Sequence, residues 1–153
     1  MKQKNTTFIC GLLISGTILI TLFILANSFL DFSTSHKLSG VIMKFLFPNA
    51  TVTDGVVDDF WLRKAAHLTE YALLGAMVGG VIVYFKQQFC RHIIGGSLFG
   101  ILSIAVMDEF VQGFNGRNSS VGDVILDFGG ALLGLALSVF IIWFSDNIKT
   151  KKK

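Results

Sequence analysis

The sequence predicts an all-α integral membrane protein: a four-helix bundle, N-in/C-in, with a short amphipathic outer-face helix between the first two transmembrane helices. Three observations predict it. The 153 residues are 52% hydrophobic, with a mean hydropathy of +0.66 and a single proline, far more apolar than a water-soluble domain. Four apolar runs recur, roughly 8–30, 71–85, 93–107 and 128–145. With the N-terminus inside, the cytoplasmic segments hold Lys2, Lys4, Lys86, Arg91, Lys149 and Lys151 to Lys153, eight of thirteen Lys and Arg, as the positive-inside rule favours.

The elements follow in order. Phe8 to Leu30 is 23 residues without a charge, enough at about 1.5 Å per residue to cross about 30 Å of hydrocarbon. The basic start resembles a signal peptide, but the apolar run exceeds the ~7–15-residue signal core, which favours a retained helix. Within 31–60, Leu38, Val41, Ile42, Phe45 and Leu46 fall at i, i+3, i+4, i+7 and i+8, with Lys37 and Lys44 off that stripe. This predicts an amphipathic helix that lies on the outer leaflet or packs over the bundle, stopping near Pro48. A polar linker, Asn49 to Asp59, leads to helices at roughly 61–85, 93–112 and 123–145. One domain is expected over 1–153.

Small residues punctuate the last three helices: Gly75, Gly79 and Gly80, then Gly95, Gly96 and Gly100, then Gly129, Gly130 and Gly134. They predict close helix packing rather than a phosphate-binding loop, which would need a preceding strand. Cys10 and Cys90 both fall near cytoplasmic helix ends, where no disulfide is expected. The terminal KTKKK reads as an anchor to anionic lipid, so the expected partners are membrane lipids and not nucleic acid.

The polar residues gather at one end. The uncharged parts of the second and third helices, Tyr71 to Phe85 and Ile93 to Met107, are 15 residues each, roughly 22 Å of helix against about 30 Å of hydrocarbon. Both are short by about five residues on the outer side. A carboxylate facing lipid costs roughly 2.5–3.5 kcal/mol even on the lenient insertion scale, so a shared polar recess is the cheaper arrangement. Arg63, His67 and Glu70 share one face of the second helix, Asp108 and Gln112 one face of the third, and Asp123 and Asp127 one face of the fourth. Arg117 follows in a loop, placed to fold back over them.

Such a recess suits an anion held by Arg63, Lys64 and Arg117, with Gln112, Asp123 and Asp127 completing the binding set. His67, Glu70, Asp108 and Glu109 are the candidates for acid–base chemistry. His67 with Glu70 and Asp108 or Glu109 offers three metal ligands. One histidine without a second nitrogen or sulfur gives zinc little support, and magnesium or calcium fares no better; no metal is assigned and no cofactor is named.

Two blocks carry a family resemblance: RKAAHLTEYALLG, from Arg63 to Gly75, and DEFVQGFNGRNSSVGDVILDFGGALLG, from Asp108 to Gly134. Together they resemble the VanZ-like family of small bacterial membrane proteins, over the second to fourth helices. The resemblance implies a multi-pass cell-membrane protein whose motif is carried by Arg63, Lys64, His67, Glu70, Asp108, Glu109, Gln112, Arg117 and Asp123. It also implies a setting, since the name-giving member is associated with resistance to the glycopeptide teicoplanin. One position departs from the pattern: Asp127 stands where many relatives carry an asparagine.

Two functions compete on these residues. One is an enzyme acting on an anionic, lipid-linked envelope component; the other is a non-catalytic binding or accessory protein whose polar cluster is an ion-pair network. A transporter is disfavoured, because the inner halves of the helices carry no ionisable relay.

Overall fold

The computed structural model describes residues 2–30, 32–46, 56–85 and 90–151, and among them every regular element is helical. The helices are α1 (Lys2–Ser28), α2 (Phe32–Leu46), α3 (Val56–Phe85), α4 (Cys90–Phe114) and α5 (Val121–Lys151). Four contain stretches long and apolar enough to cross a membrane: Thr7–Ser28, Trp61–Tyr84, Ile93–Phe114 and Val121–Ser145. The expected bounds shift modestly. α1 ends at Ser28, where a turn from Ala26 to Leu30 takes over. α3 starts five residues before Trp61, and α5 runs on to Lys151 because nothing between Ser145 and that lysine breaks a helix. Pro48 and most of the predicted linker lie outside the described residues.

Polarity is distributed inside out. Phe8, Leu19, Phe99, Phe110, Leu133 and Trp143 are among many large apolar side chains left exposed, while Asp108, Glu109, Gln112, Asp127 and Ser28 are buried. In water such a surface is a liability; in a bilayer the lipid is the solvent for it, and the polar groups must find partners inside. The apolar core is small, built from Ile24, Tyr71, Leu74, Ile101, Ala105 and Ala131.

The most extensive contact is between α3 and α5, and glycine makes it possible. Gly75-x-x-x-Gly79 on α3 faces Gly130-x-x-x-Gly134 on α5. A Cβ at Gly75 would fall on the Ala131 carbonyl oxygen, and one at Gly134 on that of Ala72. At Gly130 and Gly79 an added Cβ would lie 2.8 Å from the Leu68 oxygen and 2.9 Å from the Leu135 oxygen. The order of these contacts shows α3 and α5 running parallel, with backbones as close as the small-xxx-small seam allows. The glycines of α4 differ from expectation. Gly95, Gly96 and Gly100 have nothing within 4 Å of an added Cβ, since that face of α4 meets no other described helix.

α1 packs on α3, where an added Cβ at Gly80 would meet Leu13 and one at Gly16 would meet Met77. α2 rests against α3. Of its predicted apolar stripe, Leu38, Val41, Ile42 and Phe45 are all exposed, and Leu38 and Ile42 line an open groove shared with α1 and α3.

Candidate functional site

The site forms where α1 and α4 end and where α5 begins, beside the first turns of the apolar part of α3. α4 sorts its residues by helical spacing. Asp108 and Gln112 face inward, and Phe110 and Phe114 pair edge to face on the exposed side, centroids 4.8 Å apart. Gly116 then ends the helix with φ of 71°, and the Arg117 amide bonds back to the Gln112 carbonyl at 3.2 Å. This six-to-one bond after a left-handed residue is the Schellman ending, and it turns the chain so that Arg117 follows at once.

The loop closes the bundle by serving another helix. α1 has no basic residue in its last turn, and its terminal carbonyls need donors. Asn115 Nδ2 donates to the Ser28 carbonyl at 3.1 Å, and Arg117 Nη1 approaches that of Asn27 at 3.5 Å. Ser120 then caps α5: its Oγ accepts from the Asp123 amide at 3.1 Å. In a capping box the acid three residues on returns the bond. Here Asp123 pairs instead with Lys64 of α3, and Glu109 Oε2 accepts from the Ser120 amide at 3.0 Å.

At the centre lies Asp108, 1% exposed. Its Oδ1 accepts from Ser28 Oγ and, at 2.6 Å, from Gln112 Nε2; its Oδ2 accepts from Tyr71 OH at 3.1 Å. His67 Nδ1 lies 3.6 Å from Asp108 Oδ2 and 3.6 Å from Oδ1 of Asp127, which is fully buried. The other ring nitrogen, Nε2, is 3.5 Å from Arg117 Nη2. Burial draws the Arg117 guanidinium below its ordinary pKa; Asp108 opposes that and Arg63 adds to it. Arginine remains charged under such a shift.

A cavity of about 140 Å³ opens over this cluster. Arg63, Lys64 and Arg117 stand on its wall with His67 and Asp127, and Glu109, Gln112, Asn118 and Asp123 complete the polar part. Two candidate residues sit elsewhere. Asp108 lies behind His67, and Glu70 turns to a second cavity, where its Oε1 accepts from Asn27 Nδ2 at 3.3 Å. That second cavity, about 430 Å³ and mostly apolar, runs between α1, α2 and α3 and shares Arg63, His67 and Arg117 with the first.

The structure thus brings His67, Asp108, Gln112, Arg117 and Asp127 together. It ties Lys64, expected to help hold an anion, to Asp123, and it uses one Glu109 oxygen to hold the α5 N-terminus. Sequence reasoning missed Ser28, Asn27, Tyr71 and Asn115. Tyr71 was findable, being four residues from His67 and so on its face; Asn27 and Ser28 signalled only as polar residues at the end of an apolar run.

These features meet an independent finding: the VanZ/LLP1 family profile matches residues 13–143. No curated protein and no solved structure matches the chain. The chain belongs to the VanZ/LLP1 family, and its four apolar spans fit a multi-pass membrane protein.

Proposed function

We propose that this VanZ/LLP1 protein sits in the bacterial cell membrane with both termini cytoplasmic and its polar recess at the outer face. There it takes in the anionic group of a lipid-linked envelope component and acts on it through His67 as general acid or base. One observation carries the reading: His67, backed by the buried carboxylates of Asp108 and Asp127, lines a cavity whose wall also holds Arg63, Lys64 and Arg117. Guanidinium groups recognise phosphate and carboxylate, and an imidazole beside them is the side chain best suited to move a proton near neutral pH.

The neighbouring apolar groove supports a ligand with a chain. Because both cavities share Arg63, His67 and Arg117, an amphiphile can place its head among the cations and its chain against Phe23, Leu38 and Ile42. Asp108, already accepting from three donors, positions the imidazole, and Glu109 positions α5. The outward orientation rests on the lysine and arginine distribution. Acting on envelope components there would alter susceptibility to teicoplanin.

A non-catalytic accessory role is the second reading, favoured by the Lys64–Asp123 pair and the Glu109–Ser120 bond, which serve closure of the bundle. The test is to incubate the purified protein with vesicles containing an anionic phospholipid and analyse the lipid by mass spectrometry, alongside teicoplanin susceptibility of a Gram-positive host expressing the native chain, His67→Ala or Arg117→Ala. Altered lipid with the native chain but not with His67→Ala supports the enzyme. Intact lipid bound in an Arg117-dependent manner supports the accessory role. Absence of binding, of turnover and of any susceptibility shift refutes both.

A further inference from the structure

We infer that His67, Asp108 and Asp127 form a site for one divalent transition-metal ion of the zinc or manganese type. Three helices contribute one residue each, and one ligating atom from each lies within 4.8 Å of the other two. Proximity of acids alone is not a site; the state of their atoms is the second observation. Asp127 is fully buried, and neither of its carboxylate oxygens has a hydrogen bond of normal length among the described residues; His67 Nδ1, likewise without one, stands 3.6 Å from its Oδ1. A buried carboxylate with both oxygens unsatisfied is costly unless something positive sits against it.

Two of the three ligand separations fit an ion better than a direct bond. The Nδ1–oxygen separations of 3.6 Å exceed the ~2.7–2.9 Å of a charge-assisted hydrogen bond. Ligands at about 2.0–2.2 Å around a tetrahedral ion stand about 3.3–3.6 Å apart. Charge agrees: Arg63, Lys64 and Arg117 on the cavity wall are outnumbered by Glu109, Asp123 and Asp127 there with Asp108 behind His67, and the two ligating carboxylates alone balance one divalent cation.

The surroundings resemble those of a ligand set. Ser28, Tyr71 and Gln112 fix the Asp108 carboxylate as outer-shell donors fix metal-binding carboxylates. Three protein ligands leave a fourth position for water or a headgroup oxygen, and the cavity lined by His67 and Asp127 gives it room. One imidazole with two carboxylates favours zinc or manganese over magnesium, which prefers oxygen alone. With the ion on Nδ1, the ring proton sits on Nε2, so the approach of Arg117 Nη2 to that atom is given up on loading. Arg117 is therefore not required for the ion.

The site rests on the recess of the function proposed above and revises one role in it, since a His67 that holds the ion would leave the proton transfer to ion-bound water; it needs none of that function's ligand, so it is tested without lipid substrate. The full chain, carrying a tag without histidine, is purified in detergent, stripped with a chelator and titrated with Zn²⁺, Mn²⁺ or Mg²⁺, with bound metal counted by mass spectrometry. About one Zn²⁺ or Mn²⁺ per chain is expected, with affinity reduced by at least about tenfold in Asp127→Asn and His67→Gln and retained in Arg117→Ala and Glu109→Gln. Zinc absorption-edge spectra should show a nitrogen and oxygen shell without sulfur. Failure of the native chain to bind zinc or manganese, preference for Mg²⁺, or unchanged affinity in both Asp127→Asn and His67→Gln overturns the inference. The native-chain measurement stands even if a variant does not fold, and anion binding by the stripped protein would leave the proposed function standing.

Discussion

Gly134→Ala tests the link between helix packing and the site. The added Cβ would fall on the Ala72 carbonyl oxygen, with that residue's carbonyl carbon at 2.7 Å and Cα at 2.9 Å. Carbon–carbon contacts need about 3.5–4.0 Å, and all three atoms are backbone, so no rotamer change relieves the overlap. α5 must move from α3 by on the order of 1 Å, and overpacking of this kind costs about 1–3 kcal/mol. Alanine also raises helix propensity by up to about 1 kcal/mol, which would mask part of the loss. Gly96→Ala provides the reference, because its Cβ meets nothing within 4 Å and the propensity gain is the same. Gly134→Ala should therefore be less stable than Gly96→Ala by about 1–3 kcal/mol, read as reversible unfolding in mixed micelles by loss of helical circular dichroism. Because α3 carries His67 and α5 carries Asp127, the variant should also lose function out of proportion to its stability. Equal stability of the two variants would refute the seam as the contact that sets the α3–α5 distance.

Three further perturbations follow from the same geometry. Tyr71→Phe removes one of three donors to buried Asp108; it should cost about 1.5–3 kcal/mol, as hydrogen bonds to charged groups do, measured in the same unfolding assay, and a neutral result would mean that Ser28 and Gln112 suffice. Gly116→Ala places a Cβ at φ of 71°, so about 1–2 kcal/mol of strain should loosen Arg117 and weaken anion binding while Gly122→Ala does not. Ser119 is exposed in the loop between α4 and α5; Ser119→Cys, in a chain with Cys10 and Cys90 replaced by alanine, should react with a membrane-impermeant thiol reagent added to intact cells, and protection until lysis would reverse the proposed orientation.

Much of the fold was legible because lipid simplifies the code. Runs without charge mark spans, and the bilayer forbids exposed backbone between them, so four membrane-length helices followed from the sequence alone. The glycines were legible as small but not as partnered. Gly75, Gly79, Gly130 and Gly134 meet a facing backbone, whereas Gly95, Gly96 and Gly100 meet none, and only the relative rotation of the helices decides which. Glu109 looked like Asp108's equal, yet one residue of helix is about 100° of rotation. That turn sends Asp108 to the Ser28, Tyr71 and Gln112 donors and Glu109 to the α5 N-cap. The S-x-x-D of Ser120 to Asp123 does mark the start of α5, though its missing return bond was not readable, because Lys64 comes from another helix.

The glycine seam and the buried acids belong to one argument. Parallel helices in lipid have no hydrophobic drive to associate, so close packing and polar contacts must hold them. The seam between Gly75–Gly79 and Gly130–Gly134 begins one to two turns below His67 and Asp127, and it brings the two backbones near enough for an imidazole and a short aspartate to come within 3.6 Å. A bulkier seam would separate them and leave Asp127 buried with nothing to face. Two of the three donors on Asp108 come from helices outside that pair, Ser28 on α1 and Gln112 on α4 itself, and the third, Tyr71, comes from α3. Asp108 is thus the atom-level junction of α1, α3 and α4, while Asp127 has only the longer approach of His67, at 3.6 Å. That asymmetry makes Asp127 the residue through which the cluster would register an added positive charge.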